Sequence, residues 1–455
     1  MPMRDRDVQQ DSKPALLDRV ANTALLTGWA MLALGGATLA GTATASPTAG
    51  LSSGSSLTLG NVSHPHARDT SINPAASPIG PAFSTSILRV GAGAELGPVD
   101  DLIDELDELQ DDLDGDFNTI ADAEDARDKA NEFLVQAGED GYAKLSAFGH
   151  VPITPLSMQL PWGDGGISLD VRFTGQARLG ILDAPVNAYA DGGDFGIETD
   201  TSLYIKGAVL REITFGYGHN VWQGERSELL LGFSLTHYQS DLSKIVIPLQ
   251  DADDVGDTIT DEYDANQKQD TDIGAGLGLL WNSDYYRFGI VGRNLNQPEL
   301  EFGAIGQCCH ELSGDAQERC TMAQQFGDRI DLEETWTLDP QMSLEGAIYN
   351  QDQSWVLAAS YDTNSVKDPV GDEQQWFAVS VSTVPQARLL PEWRFGYREN
   401  MAGSELTYVT TGFTLFRSFS LDIAYGLENV THTSDDDEQD YPRSVMFNVG
   451  LDLAF

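Results

Sequence analysis

Apolar and polar positions alternate with a period of two over many short stretches of this chain. Near its end Phe447, Val449, Leu451, Leu453 and Phe455 fall on one face, and Asn448, Gly450, Asp452 and Ala454 on the other. Phe419, Leu421, Ile423, Tyr425 and Leu427 repeat the pattern, as do Ile273, Ala275, Leu277, Leu279 and Trp281 opposite Gly274, Gly276 and Gly278. Ile167, Leu169, Val171 and Phe173 do the same, and Leu203, Ile205, Val209, Ile213, Phe215 and Tyr217 share a face in one long strand. Successive strand side chains point to opposite faces, so each segment predicts a strand with one apolar side. Arg211 interrupts the last of these faces and predicts a bulge or kink there.

The connections fall into two classes that alternate. Short ones lie at 163–166, 223–226, 282–284, 350–353, 386–388 and 417, and long or polar ones at 96–149, 182–199, 241–270, 297–335, 364–373, 401–404 and 430–442. With a first strand near Phe83–Glu95 the count is about fourteen, an even number, with short turns on one side and long loops on the other. A soluble sandwich has no reason to segregate loop lengths by parity. The fold class expected is all-β: an antiparallel transmembrane β-barrel of about fourteen strands. Trp162, Trp222, Trp281, Trp355 and Trp393 lie near the short-turn ends and Trp336 and Trp376 near the long-loop ends, as expected for aromatics at two water–lipid boundaries.

The first residues carry Arg4, Arg6, Lys13 and Arg19, then an apolar run from Ala24 to Gly41 and the small-x-small site Ala43-Thr44-Ala45. This predicts a cleavable secretory signal over 1–45, hence export to the outer membrane of a Gram-negative cell. Beyond it no stretch reaches the ~18 apolar residues of a spanning helix. The expected division is a signal over 1–45, a plug segment over 46–82 and a barrel over 83–455 that carries an acidic helical insertion at 97–145.

Charge narrows the function. The 455 residues hold 71 acids against 26 bases, a net charge of -45. That excludes nucleic acid as partner, since phosphates need a basic face. It also excludes docking on anionic lipid through a basic patch. In the insertion Leu102, Leu106, Leu109, Leu113, Phe117 and Ile120 recur at helical spacing. Two readings stand: a lid or partner-binding helical pair above the mouth, or a helical loop packed on its neighbours.

Asp112, Asp114, Asp116 and Asn118 around Gly115 are candidate calcium ligands, although the glycine comes too early for an EF-hand and the closing Glu is missing. Calcium is thus the only cofactor considered, as a structural ion; otherwise none is expected. Cys308, Cys309 and Cys320 lie in one exterior loop, where Cys320 with either partner closes a disulfide and leaves one thiol; His310 beside them has no zinc-site spacing. Arg89, Asp170, Arg172, Lys206, Glu212, Glu345, Arg394, Arg398, Asp422 and Asp452 project inward, either to bind an anionic headgroup or gate a channel, or to hold a plug by ion pairs. No catalytic spacing of His, Ser and Asp is present, so an enzyme is not expected.

Residues 69–80, with Asn73, Pro74 and Ala75 just before the first strand, resemble the N-terminal plug of the long-chain fatty acid transporter (FadL) barrels. Gly292-Arg293-Asn294-Leu295-Asn296-Gln297-Pro298 resembles a feature of the same superfamily. The acidic insertion and Leu210-Arg211-Glu212-Ile213 resemble most the barrels called conjugal transfer TraF proteins. The resemblance spans roughly residues 60–455 and implies a plugged barrel that admits hydrophobic small molecules. It implies as partners outer-membrane lipid and lipopolysaccharide, and the barrel-assembly machinery at the strand ending in Phe455. The thioredoxin-like periplasmic protein of the same name needs a C-x-x-C and a βαβ unit, and this chain has neither. The alternative is a non-transporting interaction or structural protein, an accessory to conjugation or to surface-complex assembly, that works through its exterior loops.

Overall fold

The computed structural model describes residues 54–63, 72–115, 117–161, 164–191, 194–250, 255–385, 390–434 and 437–454. Trp162, Asp116, Phe455 and the expected signal segment lie outside them.

Fourteen antiparallel staves close on themselves. They are β1 (Phe83–Leu96), β2 (Tyr142–His150, continued by Leu156–Gln159), β3 (Gly165–Leu182), β4 (Ser202–Gln223), β5 (Ser227–Pro248), β6 (Lys268–Ser283) and β7 (Tyr286–Arg293). They continue as β8 (Gln341–Tyr349), β9 (Trp355–Asp362), β10 (Trp376–Thr383), β11 (Glu392–Asn400), β12 (Thr407–Leu415), β13 (Phe419–Gly426) and β14 (Ser444–Ala454). Each pairs with its sequence neighbours, and β14 pairs with β1 from Ser84↔Ala454 to Glu95↔Ser444, which closes the ring. Closure removes the edge strands, so every stave is bonded on both sides.

Alternation sorts the two faces as the sequence predicts. Leu277 is 59% exposed and Phe288 54%, while Gly278 and Arg287 beside them are buried. Outward Phe, Leu, Ile and Val recur around the ring. A water-soluble monomer rarely exposes more than a few hundred Å² of contiguous apolar surface, so this belt faces lipid. No helix of the described residues is long and apolar enough to cross a membrane.

Stave length then makes a second layer. A lipid crossing takes about 9–11 residues, yet β4 and β5 have 22 each and β3 has 18. Their surplus projects past the long-loop rim as a wing. Its outward face (Leu179, Ile181, Leu203, Ile205, Ile245, Ile247) is covered by helices α1 (Leu102–Asp114) and α2 (Ile120–Asp140), with Tyr263 of α3 (Val255–Asn266) alongside. Ala123, Ala130 and Ala137 on one side of α2 let the helix lie close to this sheet. Its inward face (Leu182, Val246) receives Ala323 of α4 (Asp315–Gln325), with Phe326 and Ile330 beyond it. The insertion therefore flanks the wing, packed on neighbouring elements. Helix ends at Asp140, and residues 142–145 already belong to β2.

Two expectations are corrected. The β4 register runs without a shift through Arg211, whose guanidinium stacks over Phe173 at 5.1 Å and donates to Gln239 Oε1 at 3.0 Å. The outward phase tolerates this cation because an aromatic and an amide receive it; the β4 irregularity lies instead at Asn220/Trp222. Trp336 and Trp376 are buried rather than at the outer lipid boundary, because the loops that carry or flank them fold inward. Their Nε1 atoms donate to Lys367 O and Gln374 Oε1, both at 2.9 Å. At the short-turn rim Trp222 and Trp281 do stack on the outside, with centroids 5.5 Å apart.

Candidate functional site: the plug and the outer mouth

The lumen is occupied by the chain's own N-terminal segment. Asn73 accepts from Ala75 N at 3.0 Å and so caps the 3-10 turn Pro74–Ala76, with proline where a turn begins and no N–H is needed. The turn presses on β4, β5 and β6 at inward glycines: a Cβ on Gly278 would lie 2.1 Å from Asn73 Oδ1, and one on Gly232 2.3 Å from Ala75 N. Of the alternating glycines of β6, Gly278 thus beds the plug, while Gly274 and Gly276 make room for Tyr238, Ser234 and the Gly292–Pro298 turn. A helical turn at Ser56–Leu59 fills the opposite half against β10 to β13.

Lumen charges tie both pieces to the wall. Glu345 on β8 accepts from Ser63 N and from Ser63 Oγ at 3.0 Å, and from Asn73 Nδ2 at 2.7 Å. Arg287 Nη1 donates to Ser63 O at 2.6 Å and Arg293 Nη2 to Ile72 O at 3.1 Å. Thr58 Oγ1 donates to Asp422 Oδ1 at 2.5 Å, and Arg394 pairs with the same carboxylate at 2.7 Å. Arg398 Nη1 donates to Leu57 O at 3.5 Å and stacks over Trp376. Of the other inward candidates, Arg89 meets Asp452 at 2.9 Å, Asp170 meets His150 at 2.5 Å, and Arg172 lies 3.8 Å from Glu212. All are buried. The structure brings plug and polar wall residues into one network.

Above the plug two long loops fold into the mouth. One follows β7: the Gly292–Pro298 motif turns the chain with Asn294 and Gln297 in the left-handed region, while Asn296 bonds Ala275 N at 2.7 Å and Ile273 O at 2.6 Å. The Asn296 amide thereby imitates a strand partner for β6 where β7 has ended. This loop delivers Glu334, which meets Lys206 at 2.6 Å and Lys244 at 3.7 Å. The other, between β9 and β10, delivers Asp368 and Asp372 to Lys144 at 2.7 and 2.6 Å. Burial pushes the Asp372 carboxyl up, against the pull of Lys144.

A cavity of about 600 Å³ remains between these loops and the wall. Tyr142, Tyr204, Trp336, Ile181 and Val370 line it together with Arg178, Lys206, Glu334 and Asp368. Its size lies in the usual range for small-molecule sites, and its lining is mixed rather than greasy. Sequence reasoning named Lys206 but missed Lys144, Lys244, Arg287, Arg293 and the loop carboxylates. The inward phase of the lysines was visible; their distant partners were not.

The exterior candidates sit apart from this network. Cys309 and Cys320 form the disulfide and Cys308 is the exposed thiol. This resolves the pairing that spacing left open. Asp112 lies in the last turn of α1 and Asn118 is exposed beyond the helix; Asp114's side chain and Asp116 lie outside the described residues. The carboxylates that do gather with a histidine are Asp101 and Asp104 with His432.

Among functionally curated proteins none is similar in sequence. Similar solved structures include a Pseudomonas aeruginosa FadL homologue, 11% identical over 91% of this chain and 99% of that one, with a TM-score of 0.41. The P. putida toluene transporter TodX is 12% identical, covering 84% and 92%, at 0.37. The Ralstonia pickettii toluene transporter TbuX is 10% identical, covering 84% and 92%, at 0.35. The model of the F plasmid transfer operon TraF protein family matches residues 70–362, from the plug through β9. The chain belongs to that TraF family, and it is a barrel of fourteen staves with its own N-terminal segment in the lumen.

Proposed function

We propose that this protein is a plugged channel of the outer membrane that takes up small molecules with apolar bodies at its long-loop mouth. The cavity above the plug carries the reading: about 600 Å³, walled by Tyr142, Tyr204 and Trp336, and lying among the long loops. The described plug beneath is held by packing and by hydrogen bonds to charged wall residues, a seal that small rearrangements can open without unfolding the wall. The outer-membrane location is supported by closure, by the apolar belt and by the segregation of short and long connections.

The test is uptake by liposomes that carry the folded barrel, with a fatty acid and a monoaromatic compound as solutes. Uptake above empty vesicles supports the channel. None, from a barrel that still shows heat-modifiable migration, sinks it.

A second reading rests on the wing. Its covering helix α1 carries Asp104, Glu105, Glu108, Asp111 and Asp112 without a basic residue in its last turn. An accessory role in conjugation or surface-complex assembly would use this acidic flank. Loss of such an association on charge neutralisation in α1, with uptake absent throughout, would favour it.

A further inference from the structure

Arg211 stands on the outward phase of β4, where the apolar belt ends. On β4 the outward residues Phe215 and Ile213 give way to Arg211; on β5 Phe233 and Leu235 give way to His237 and Gln239; on β6 Leu277 and Ile273 give way to Thr271. Phe173, Arg211, Gln239 and Thr271 lie in one register row across β3 to β6. From Trp222 at the short-turn rim to this row, β4 rises by about the 9–11 residues of a lipid crossing. The row therefore marks the outer hydrocarbon boundary. Just beyond it the cover of the wing begins. A Cβ on Gly207 would lie 2.5 Å from the Tyr263 ring of α3, whose hydroxyl donates to Asp241 O at 3.0 Å.

Among the described residues of the staves every other lysine and arginine lies on the inward phase. An outward arginine costs about 2–4 kcal/mol at the midplane and about 0–1 kcal/mol at a boundary, so its level decides whether lipid tolerates it. Its posture separates a fixed site from a side chain that only reaches for water. A snorkelling arginine extends a free head. This guanidinium instead lies 5.1 Å over Phe173 and donates from Nη1 to Gln239 Oε1 at 3.0 Å. Among the described residues it has no ion pair, not even with Asp241 on the next outward pair, and its Nε has no hydrogen-bond partner. His237, exposed on the outward pair before it, is its diagonal neighbour, about 7–8 Å away.

We propose that Arg211, with His237 beside it, binds the phosphate of a glycolipid in the outer leaflet. A phosphate monoester brings a charge of about −1.5 to −2 and three acceptor oxygens, and the planar fork of a guanidinium matches them. Arg211 supplies the fixed charge and His237 a ring N–H, while Phe173 and Gln239 hold the guanidinium in place. The acyl chains of the lipid lie along Ile213, Phe215 and Leu235 below. A chain of net charge -45 repels an anionic leaflet, and this site gives such a leaflet a point of attachment beneath α3. It is one lipid at one guanidinium, not the basic patch that the net charge excludes. The assignment rests on the membrane location in the functional reading and not on uptake.

The test uses the folded barrel in dodecyl maltoside and native mass spectrometry, with bisphosphorylated lipid A as probe. Saturable binding of the lipid is expected. Arg211→Gln should weaken it about tenfold or more, the usual weight of a hydrogen bond to a charged group. His237→Ala should weaken it about threefold to tenfold, the weight of a neutral one. Arg211→Lys keeps the charge and loses the fork, so its affinity should fall between Arg211→Gln and the unaltered chain. Arg226→Gln, in the short turn between β4 and β5 at the opposite rim, should change nothing. Lipid A stripped of its phosphates should bind the unaltered barrel about tenfold more weakly or worse. That comparison needs no variant and stands even where Arg211→Gln does not fold. Heat-modifiable migration identifies folded variants.

Equal binding of stripped and intact lipid A overturns the site, as does unchanged binding in folded Arg211→Gln. An equal loss in Arg226→Gln reduces the effect to net charge and also overturns it. Equal affinity for phosphatidylglycerol does the same, since any anionic headgroup then suffices. The two proposals fail separately. A barrel that passes no solute yet holds lipid A through Arg211 removes the channel and leaves the site. A barrel that passes solutes while stripped lipid A binds as well as intact removes the site and leaves the channel.

Discussion

The Glu345 carboxylate accepts the Asn73 side-chain amide at 2.7 Å while it also holds the Ser63 backbone N–H and hydroxyl. One wall residue thus clasps both described pieces of the plug, on either side of residues 64–71. Arg287, reaching Ser63 O from the next stave, completes the clasp.

Glu345→Ala should loosen the plug more than Glu345→Gln. Alanine leaves the Ser63 and Asn73 donors without their buried acceptor and removes the negative charge nearby that offsets buried Arg287, a loss of about 3–5 kcal/mol. Glutamine keeps an acceptor oxygen and loses charge, so about 1–2 kcal/mol is expected. Single-barrel conductance in planar bilayers is the measurement: frequent openings for alanine, rarer ones for glutamine. Equal silence in both would show that the clasp does not hold the plug.

Gly289 stands directly opposite Glu345 in the β7–β8 pair, and a Cβ there would lie 2.4 Å from Glu345 Oε1. The carboxylate can lie along the wall towards Ser63 only because its partner has no side chain. Gly289→Ala should therefore displace the Glu345 head and reproduce much of the Glu345→Ala conductance in a barrel that assembles normally. Gly175, whose added Cβ meets nothing within 4 Å, is the matched control, and Gly175→Ala should be silent.

The barrel was legible because lipid on one side and a packed lumen on the other force the two-residue period to persist through Ile273–Trp281 and Phe447–Leu453. Asn73-Pro74-Ala75 was legible as a motif, since a side-chain cap and a proline act within three residues. The mouth was not. Lys144 and Asp372 are separated by 228 residues, and nothing local to either announces the pair. Trp336 and Trp376 misled for the same reason: their position along the chain fits a lipid boundary, but the fold of their loops turns them inward. Arg211 breaks the apolar phase without bending the strand, because Phe173 and Gln239 across the neighbouring staves receive it.

The α1 helix should be more stable in mild acid than at neutral pH. Partial desolvation beside the wing raises the Glu105 and Asp112 carboxyls above their ordinary values, and nearby Glu108 raises both further, with Lys129 opposing. A carboxyl whose folded value exceeds its unfolded one binds its proton more tightly in the folded helix. Stability is therefore lowest above the raised values and is recovered as pH falls through them. Hydrogen exchange over residues 102–114, corrected for intrinsic rates, should show greater protection near pH 5 than near pH 7.5. Greater protection at the higher pH would contradict this account of the helix.

Leu277 separates a membrane barrel from a soluble one. It is 59% exposed on the middle of β6, with Gly278 beside it turned to the plug. In a water-soluble barrel, Leu277→Arg would exchange exposed apolar surface for charge and cost almost nothing. In a bilayer the same change places a guanidinium in hydrocarbon, at about 2–4 kcal/mol near the midplane and far less near the rims. Refolding into liposomes across a urea series should therefore show a large loss for Leu277→Arg. A small loss is expected for Trp222→Arg at the short-turn rim, where Trp222 stacks on Trp281. The ratio of the two effects, rather than either alone, reports depth, because general damage to folding would not follow position along the stave. Equal and negligible losses would place this apolar face in water and remove the membrane reading altogether.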